Sequence, residues 1–299
     1  MLGVGRAEHT ATLLRNGTVL VAGGSTSIRR SVQHLNGADI FSPRTGHWTP
    51  TGTMHTARYG ALATLLPSGE VLVAGGSEGL PSRASSAAEL YDPRTGQWRR
   101  TMSLHTARAY AVSALLPDGR VLIAGGATAD KNYNTTLASA ELYDERAGRW
   151  TTTGSLYQAR QDAVSAVLPN GDVLVAGGVS ANNNSDTYLA NAELYDAHTG
   201  RWTRTGSMTM PRQGATAALL SDGDVLVAGG DSNDETALVS AELYDPRTGR
   251  WTLAGAMHVG RFFPQATSLR DGRVLVVGGA HNLFSPNLHA FASAELYTP

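Results

Sequence analysis

Residues 116–150 read LPDGRVLIAGG, then a variable stretch, then AELYDERAGRW. The chain writes this sentence six times with small edits. Its Gly-Gly pairs fall at Gly23-Gly24, Gly75-Gly76, Gly125-Gly126, Gly177-Gly178, Gly229-Gly230 and Gly278-Gly279, about fifty residues apart. A fixed period of that size marks a propeller, a solenoid or an array. One supersecondary unit cannot bury its apolar faces alone, so it stacks on its neighbours.

The second copy shows the local plan. Residues 59–66 (YGALATLL) are small and apolar, as suits a strand in a crowded place. Pro67-Ser68-Gly69 then makes a tight turn, answered elsewhere by Pro117-Asp118-Gly119 and Pro169-Asn170-Gly171. Asp-Gly and Asn-Gly between apolar runs are strong hairpin signals, since such turns need positive φ. Residues 71–74 are apolar without alternation, which predicts a strand covered on both faces. Gly75-Gly76 ends that strand where the chain turns sharply or a neighbouring backbone comes close. After a loop, residues 88–92 (AELYD) predict a third strand, residues 93–96 (PRTG) a turn, and Trp98 opens a fourth strand ending near Met102. The Tyr-to-Trp interval is constant: Tyr91 and Trp98, Tyr143 and Trp150, Tyr195 and Trp202, Tyr244 and Trp251, with Phe41 and Trp48 as the variant.

A Gly-Gly after a β-run, a Tyr-Asp pair, and a Trp seven residues past the Tyr resemble the kelch repeat, over essentially the whole chain. The resemblance is to bacterial-type repeats and to the propellers of galactose-oxidase-like and peptide-binding kelch proteins. It implies an all-β, six-bladed propeller with four antiparallel strands per blade. The blades are expected at about 6–54, 58–102, 108–156, 160–208, 212–257 and 261–299, within one domain spanning 1–299. The sixth copy stops at AELYTP, so its blade is expected to lack the outer strand and to expose an edge. Edge pairing through blade six is the alternative to the expected monomer.

Composition narrows the functions. Twenty-four basic residues balance 25 acidic ones, so no global field favours nucleic acid or a membrane surface, and neither partner is expected. No apolar run reaches the length of a membrane span. There is no cysteine, which removes disulfides, thiolate metal sites and cysteine nucleophiles. The copper-radical oxidases of the kelch family need a tyrosine crosslinked to a cysteine, so that cofactor is excluded. The E-x-x-x-D-x-x-x-H run on which kelch-type specifier proteins place iron is absent, and no cofactor is expected. A bacterial exported or cell-surface protein is the expected setting.

The six copies act as internal controls. The first-to-second and third-to-fourth turns share one end of each blade and hardly vary, whereas the loops at the other end vary strongly. What every blade repeats reads as scaffold, and what differs is available for recognition. Arg6, Arg58, Arg108, Arg160, Arg212 and Arg261 recur at the variable end, where the chain enters the first strand. They read either as a ring of anion-binding guanidinium groups, as in peptide-binding kelch domains, or as framework partners of the equally periodic Asp39, Glu89, Glu141, Glu193, Glu242 and Glu295. Just after the arginines the copies diverge, with Glu8, Tyr59, Tyr110, Gln161, Asp162, Gln213, Phe262 and Phe263 as candidate ligand-binding residues near the channel mouth. His55, His105 and His258 read as surface-loop histidines, because they belong to different blades. The long loops add Arg29, Arg30, His34, Lys131, Tyr133, Asn183, Tyr188, His281, Phe284, His289 and Phe291. Asp231, Asn233 and Asp234 offer oxygen atoms to calcium, but without the spacing of a complete calcium loop.

These readings predict a non-catalytic scaffold that binds a protein segment or a glycan at the variable end, with an acidic ligand if the arginines do the binding. The alternative is an enzyme resembling the kelch-type sialic acid mutarotases, with Glu8 or Asp162 as the acid/base and the arginines as the anion clamp.

Overall fold

The computed structural model describes residues 3–28, 31–79, 83–130, 133–182, 185–232, 236–281 and 291–299. Arg29, Arg30, Lys131, Asn183, Asn233, Asp234, Phe284 and His289 lie outside them. The fold is all-β, of the β-propeller class, with six blades and no helix among the described residues. The third blade is typical. Val112–Leu115, Val121–Ala124, Ala140–Asp144 and Arg149–Thr152 pair in sequence order, each antiparallel to the next. Among the described residues five blades have four strands and the sixth has three, Gln265–Ser268, Val274–Val277 and Ala294–Tyr297. The chain forms two compact units, Met1–Thr153 with blades one to three and Gly154–Pro299 with blades four to six.

The constant Tyr-to-Trp interval becomes a cross-strand pair. A four-residue turn sets Tyr91 opposite Trp98, Tyr143 opposite Trp150 and Tyr244 opposite Trp251, with ring centroids 5.0, 4.9 and 5.0 Å apart. Such aromatic pairs add about 0.5–1.5 kcal/mol beyond their area burial. Each indole also reaches the preceding blade. Trp98 Nε1 donates to the Gly52 carbonyl at 2.8 Å, Trp150 Nε1 to Met102 at 2.9 Å, and Trp251 Nε1 to Gly206 at 2.9 Å. The tyrosine hydroxyls complete the seam, each 2.8 Å from a threonine of the previous blade: Tyr91 on Thr51, Tyr143 on Thr101, Tyr244 on Thr205. Between blades, the unalternating second strands are buried on both faces, so Val71, Val73, Val121 and Ile123 join cores with residues of the adjacent blade.

The Gly-Gly pairs are the second seam. Gly76 has φ +89 and donates its N–H to the Arg108 carbonyl of the next blade at 2.9 Å, and Gly24 does the same to Arg58 at 2.8 Å. A Cβ on Gly76 would lie 2.8 Å from the Tyr59 carbonyl oxygen, so no side chain fits there.

Two local expectations change. The first strand is shorter than residues 59–66 and runs only over Leu62–Leu65, because Tyr59 makes a single bridge to Ser77 and Gly60 turns the chain at φ +59. The variable loops of blades one to four are not plain loops. They carry small hairpins, Ser25–Ile28 with Ser31–His34, Ser77–Glu78 with Arg83–Ala84, Ala127–Asp130 with Tyr133–Thr136, and Val179–Asn182 with Ser185–Tyr188.

Candidate functional site

The six arginines have a common environment. The Arg58 side chain has 0% exposure, its Nη1 donating to the Gly75 and Ala87 carbonyls at 2.9 and 2.7 Å and its Nη2 to Glu89 Oε1 at 2.9 Å. Arg108 repeats this on Gly125, Ser139 and Glu141, Arg160 on Gly177, Asn191 and Glu193, and Arg212 on Gly229, Ser240 and Glu242. Arg6 on Asp39 and Arg261 on Glu295 complete the set. Each guanidinium is enclosed and joins the ends of the second and third strands to the chain entering the first. Of the two sequence readings, the geometry is that of framework partners, and the guanidinium groups present no open face for an anion.

The same carboxylates hold the linker between blades. Glu89 Oε2 accepts the His55 backbone N–H at 2.7 Å and lies 2.7 Å from His55 Nδ1; Glu141 and Glu295 treat His105 and His258 alike. The three histidines are therefore carboxylate-bound linker residues, not a shared cluster. Burial alone would raise the Glu141 carboxyl, but the His105 and Thr106 N–H groups and the Arg108 charge hold it below its ordinary value. For Glu295 the same opposition leaves the carboxyl down at about 2, with burial outweighed by the His258, Arg261 and Val259 donors.

One step past each arginine, the backbone bridges to the residue after the Gly-Gly pair, as in Ala7 with Ser25, Tyr59 with Ser77 and Gln213 with Asp231. Two steps past, every blade takes positive φ: Glu8 at 54°, Gly60 at 59°, Tyr110 at 56°, Asp162 at 52°, Gly214 at 60° and Phe263 at 51°. Four of the six are not glycine, in a region that side-chain-bearing residues enter at a cost of about 1–2 kcal/mol. The order is acid, glycine, aromatic in the first unit, and again in the second. Within each unit the backbones are linked in turn. Gly60 N–H donates to the Glu8 carbonyl at 3.0 Å and Tyr110 N–H to the Gly60 carbonyl at 3.1 Å; Gly214 and Phe263 repeat this from Asp162 at 3.0 and 2.8 Å. The glycines make room for the aromatics. A Cβ on Gly60 would come within 2.7 Å of Tyr110 Cε1, and one on Gly214 within 2.9 Å of Phe263 Cε1.

In the first unit the side chains converge. The Tyr110 hydroxyl donates to Glu8 Oε2 at 3.1 Å, the Tyr59 and Tyr110 rings meet edge to face at 6.3 Å, and His34 lies 4.5 Å from Tyr59. Glu8 is exposed by area yet crowded by protein, and this partial desolvation raises its carboxyl, against the lowering by the Tyr110 hydroxyl and His34. In the second unit Gln213 Nε2 donates to Asp162 Oδ2 at 3.3 Å, and Gln161 is half-buried. Phe262 is buried while Phe263, 42% exposed, packs across it at 4.5 Å. Asp231 is buried, its backbone bridged to Gln213 and Ala237, and no group of three or more acids and histidines gathers as metal ligands among the described residues.

The repeat pattern has a counterpart among known families. The Kelch motif family matches residues 63–105 and 215–258, each a blade running from its first strand into the following linker. These are kelch repeats. Part of this chain also aligns with an F-box/kelch-repeat protein of Arabidopsis thaliana, 37% identical over 98 residues, covering 32% of this chain and 25% of that protein. This chain thus matches a quarter of that relative's length. The relative is a plant protein, so the bacterial setting expected from the repeats gains no support from it.

Proposed function

We propose that this kelch chain is a non-catalytic protein-interaction scaffold that holds an extended protein segment at the variable ends of its blades. The observation that carries the reading is the column of residues at positive φ. Strain of this kind persists where the surrounding structure enforces it and gathers at ligand-holding sites. Blades two and five show that glycine serves the backbone there, yet blades one, three, four and six keep Glu8, Tyr110, Asp162 and Phe263. Exposed aromatics beside polar groups, on loops fixed by a rigid sheet, are the composition of a recognition surface. The Arabidopsis thaliana relative is an F-box/kelch-repeat protein, consistent with a role in protein assembly.

An array of extended peptides, with a glycan array beside it, tests the reading. Peptide binding is expected to fall for Tyr110→Ala and Phe263→Ala and to persist for Arg94→Ala, whose side chain is 88% exposed on the opposite turn. Binding to glycans alone, or loss with Arg94→Ala only, would refute it.

One observation favours the mutarotase-like reading: Glu8 has a raised carboxyl beside a tyrosine hydroxyl. That chemistry also needs an anion clamp, and the arginines are already committed to their carboxylates. Faster interconversion of sialic acid anomers, followed by NMR and abolished by Glu8→Gln, would establish it.

A further inference from the structure

We propose that Glu8, Tyr59 and Tyr110, with His34 against Tyr59, form a subsite for a basic side chain, a guanidinium or ammonium group carried by the bound segment. The proposal rests on the recognition reading above and adds the charge of the ligand.

The charge follows from the pairing. In the first unit Arg6, Arg58 and Arg108 are each enclosed on their own carboxylate, Asp39, Glu89 and Glu141, so these three arginines offer no free cation to a ligand. Glu8 is the acid added outside that one-to-one scheme, and it makes no salt bridge among the described residues. The sequence left open a ring of anion-binding arginines; with Arg6, Arg58 and Arg108 each enclosed on a carboxylate, the charge at this subsite is that of Glu8.

The geometry supplies the rest. Glu8 Oε2 takes the Tyr110 hydroxyl, and no hydrogen bond among the described residues occupies Oε1. Two half-buried phenol rings in edge contact stand beside this carboxylate, one of them touching it. A carboxylate next to aromatic faces is the surrounding that a planar guanidinium uses best, through a charge-assisted hydrogen bond and contact with the ring. The backbone at Glu8 and at Tyr110 has positive φ, while Gly60 between them clears the space in which the Tyr110 ring leans toward Glu8. Three successive blades thus contribute to one small site.

The test is amide NMR on the whole chain with Nα-acetyl-argininamide as the probe and the α-amide of Nα-acetylglutamate as the control. The arginine probe is expected to shift the Glu8, Gly60 and Tyr110 amides saturably. Glu8→Gln should weaken its binding about tenfold, the worth of a charged partner, while amides elsewhere stay in place. Tyr110→Leu, which removes the ring but keeps the acid, should weaken it as well. Equal shifts with the glutamate probe, affinity unchanged in Glu8→Gln, or no saturable shift at these amides would overturn the proposal. The two readings fail separately. Array peptides that bind this end without a basic residue and without Glu8 sink the subsite and leave the scaffold reading standing. A responding arginine probe with no peptide bound anywhere does the reverse.

Discussion

Tyr110 reaches back across the second blade to Glu8, 102 residues earlier, and its hydroxyl donates to Glu8 Oε2 at 3.1 Å. Blade two yields the space, because Gly60 has no side chain to stand in the way. The hydroxyl favours the charged carboxylate, while the crowding around it favours the neutral acid. Removing the hydroxyl with Tyr110→Phe therefore takes away a lowering influence, and the Glu8 carboxyl is expected to titrate higher still. A carbon-detected NMR titration of Glu8 reads this directly; an unchanged or lowered value would show that the hydrogen bond does not form.

Gly60→Ala tests the same contact from the other side. Its Cβ would meet Tyr110 Cε1 at 2.7 Å and would sit at φ +59. The ring must move, so the variant should lose the Tyr110–Glu8 hydrogen bond at a stability cost of about 1–2 kcal/mol. Retention of the edge contact between Tyr59 and Tyr110 in the variant would contradict this.

The arginines are predicted to matter for folding. Arg58→Ala leaves the Glu89 carboxylate buried without its cation and frees the Gly75 and Ala87 carbonyls. Breaking one partner of such a pair costs about 3–5 kcal/mol. Urea denaturation of Arg58→Ala and Arg160→Ala should show losses of that order, and a loss below about 0.5 kcal/mol, the usual surface effect, would return the arginines to the ligand side.

Acid should weaken the sixth blade. Glu295 titrates at about 2 when folded against an ordinary 4.5, so its contribution is complete above 4.5 and disappears as pH falls toward 2. Glu295→Gln should flatten stability against pH in that window. Among the described residues the same strand, Ala294–Tyr297, is paired on one side only, beside a cavity of about 280 Å³ lined by Ala254, Met257 and Leu296. Its amides should exchange faster than those of Ala140–Asp144, which have partners on both sides.

The blade plan was legible because its marks are periodic and each has one physical meaning. Gly76 must lack a Cβ where Tyr59 and Arg108 approach, and Tyr143 must face Trp150 across a four-residue turn. Sequence also gave the arginines and acids one period, but period alone does not say whether a guanidinium is enclosed or open. Burial among the Gly75 and Ala87 carbonyls decided that. The small hairpins were not legible: Ala127–Asp130 and Tyr133–Thr136 have no apolar alternation to betray their pairing. The positive-φ column left one signal unread. Gly60 and Gly214 stand in register with Glu8, Tyr110, Asp162 and Phe263, and two glycines in one column announce the backbone that the other four must share.

The central claim is that those four side chains are kept, against backbone preference, for recognition. Thermal melting of Glu8→Gly and Asp162→Gly, paired with peptide binding by the same samples, tests it most directly. Relief of about 1–2 kcal/mol of strain is offset by glycine's unfolded-state entropy of about 0.5–1 kcal/mol, so the melting temperature should hold or rise while binding falls. A clear drop in melting temperature with binding intact would contradict the account.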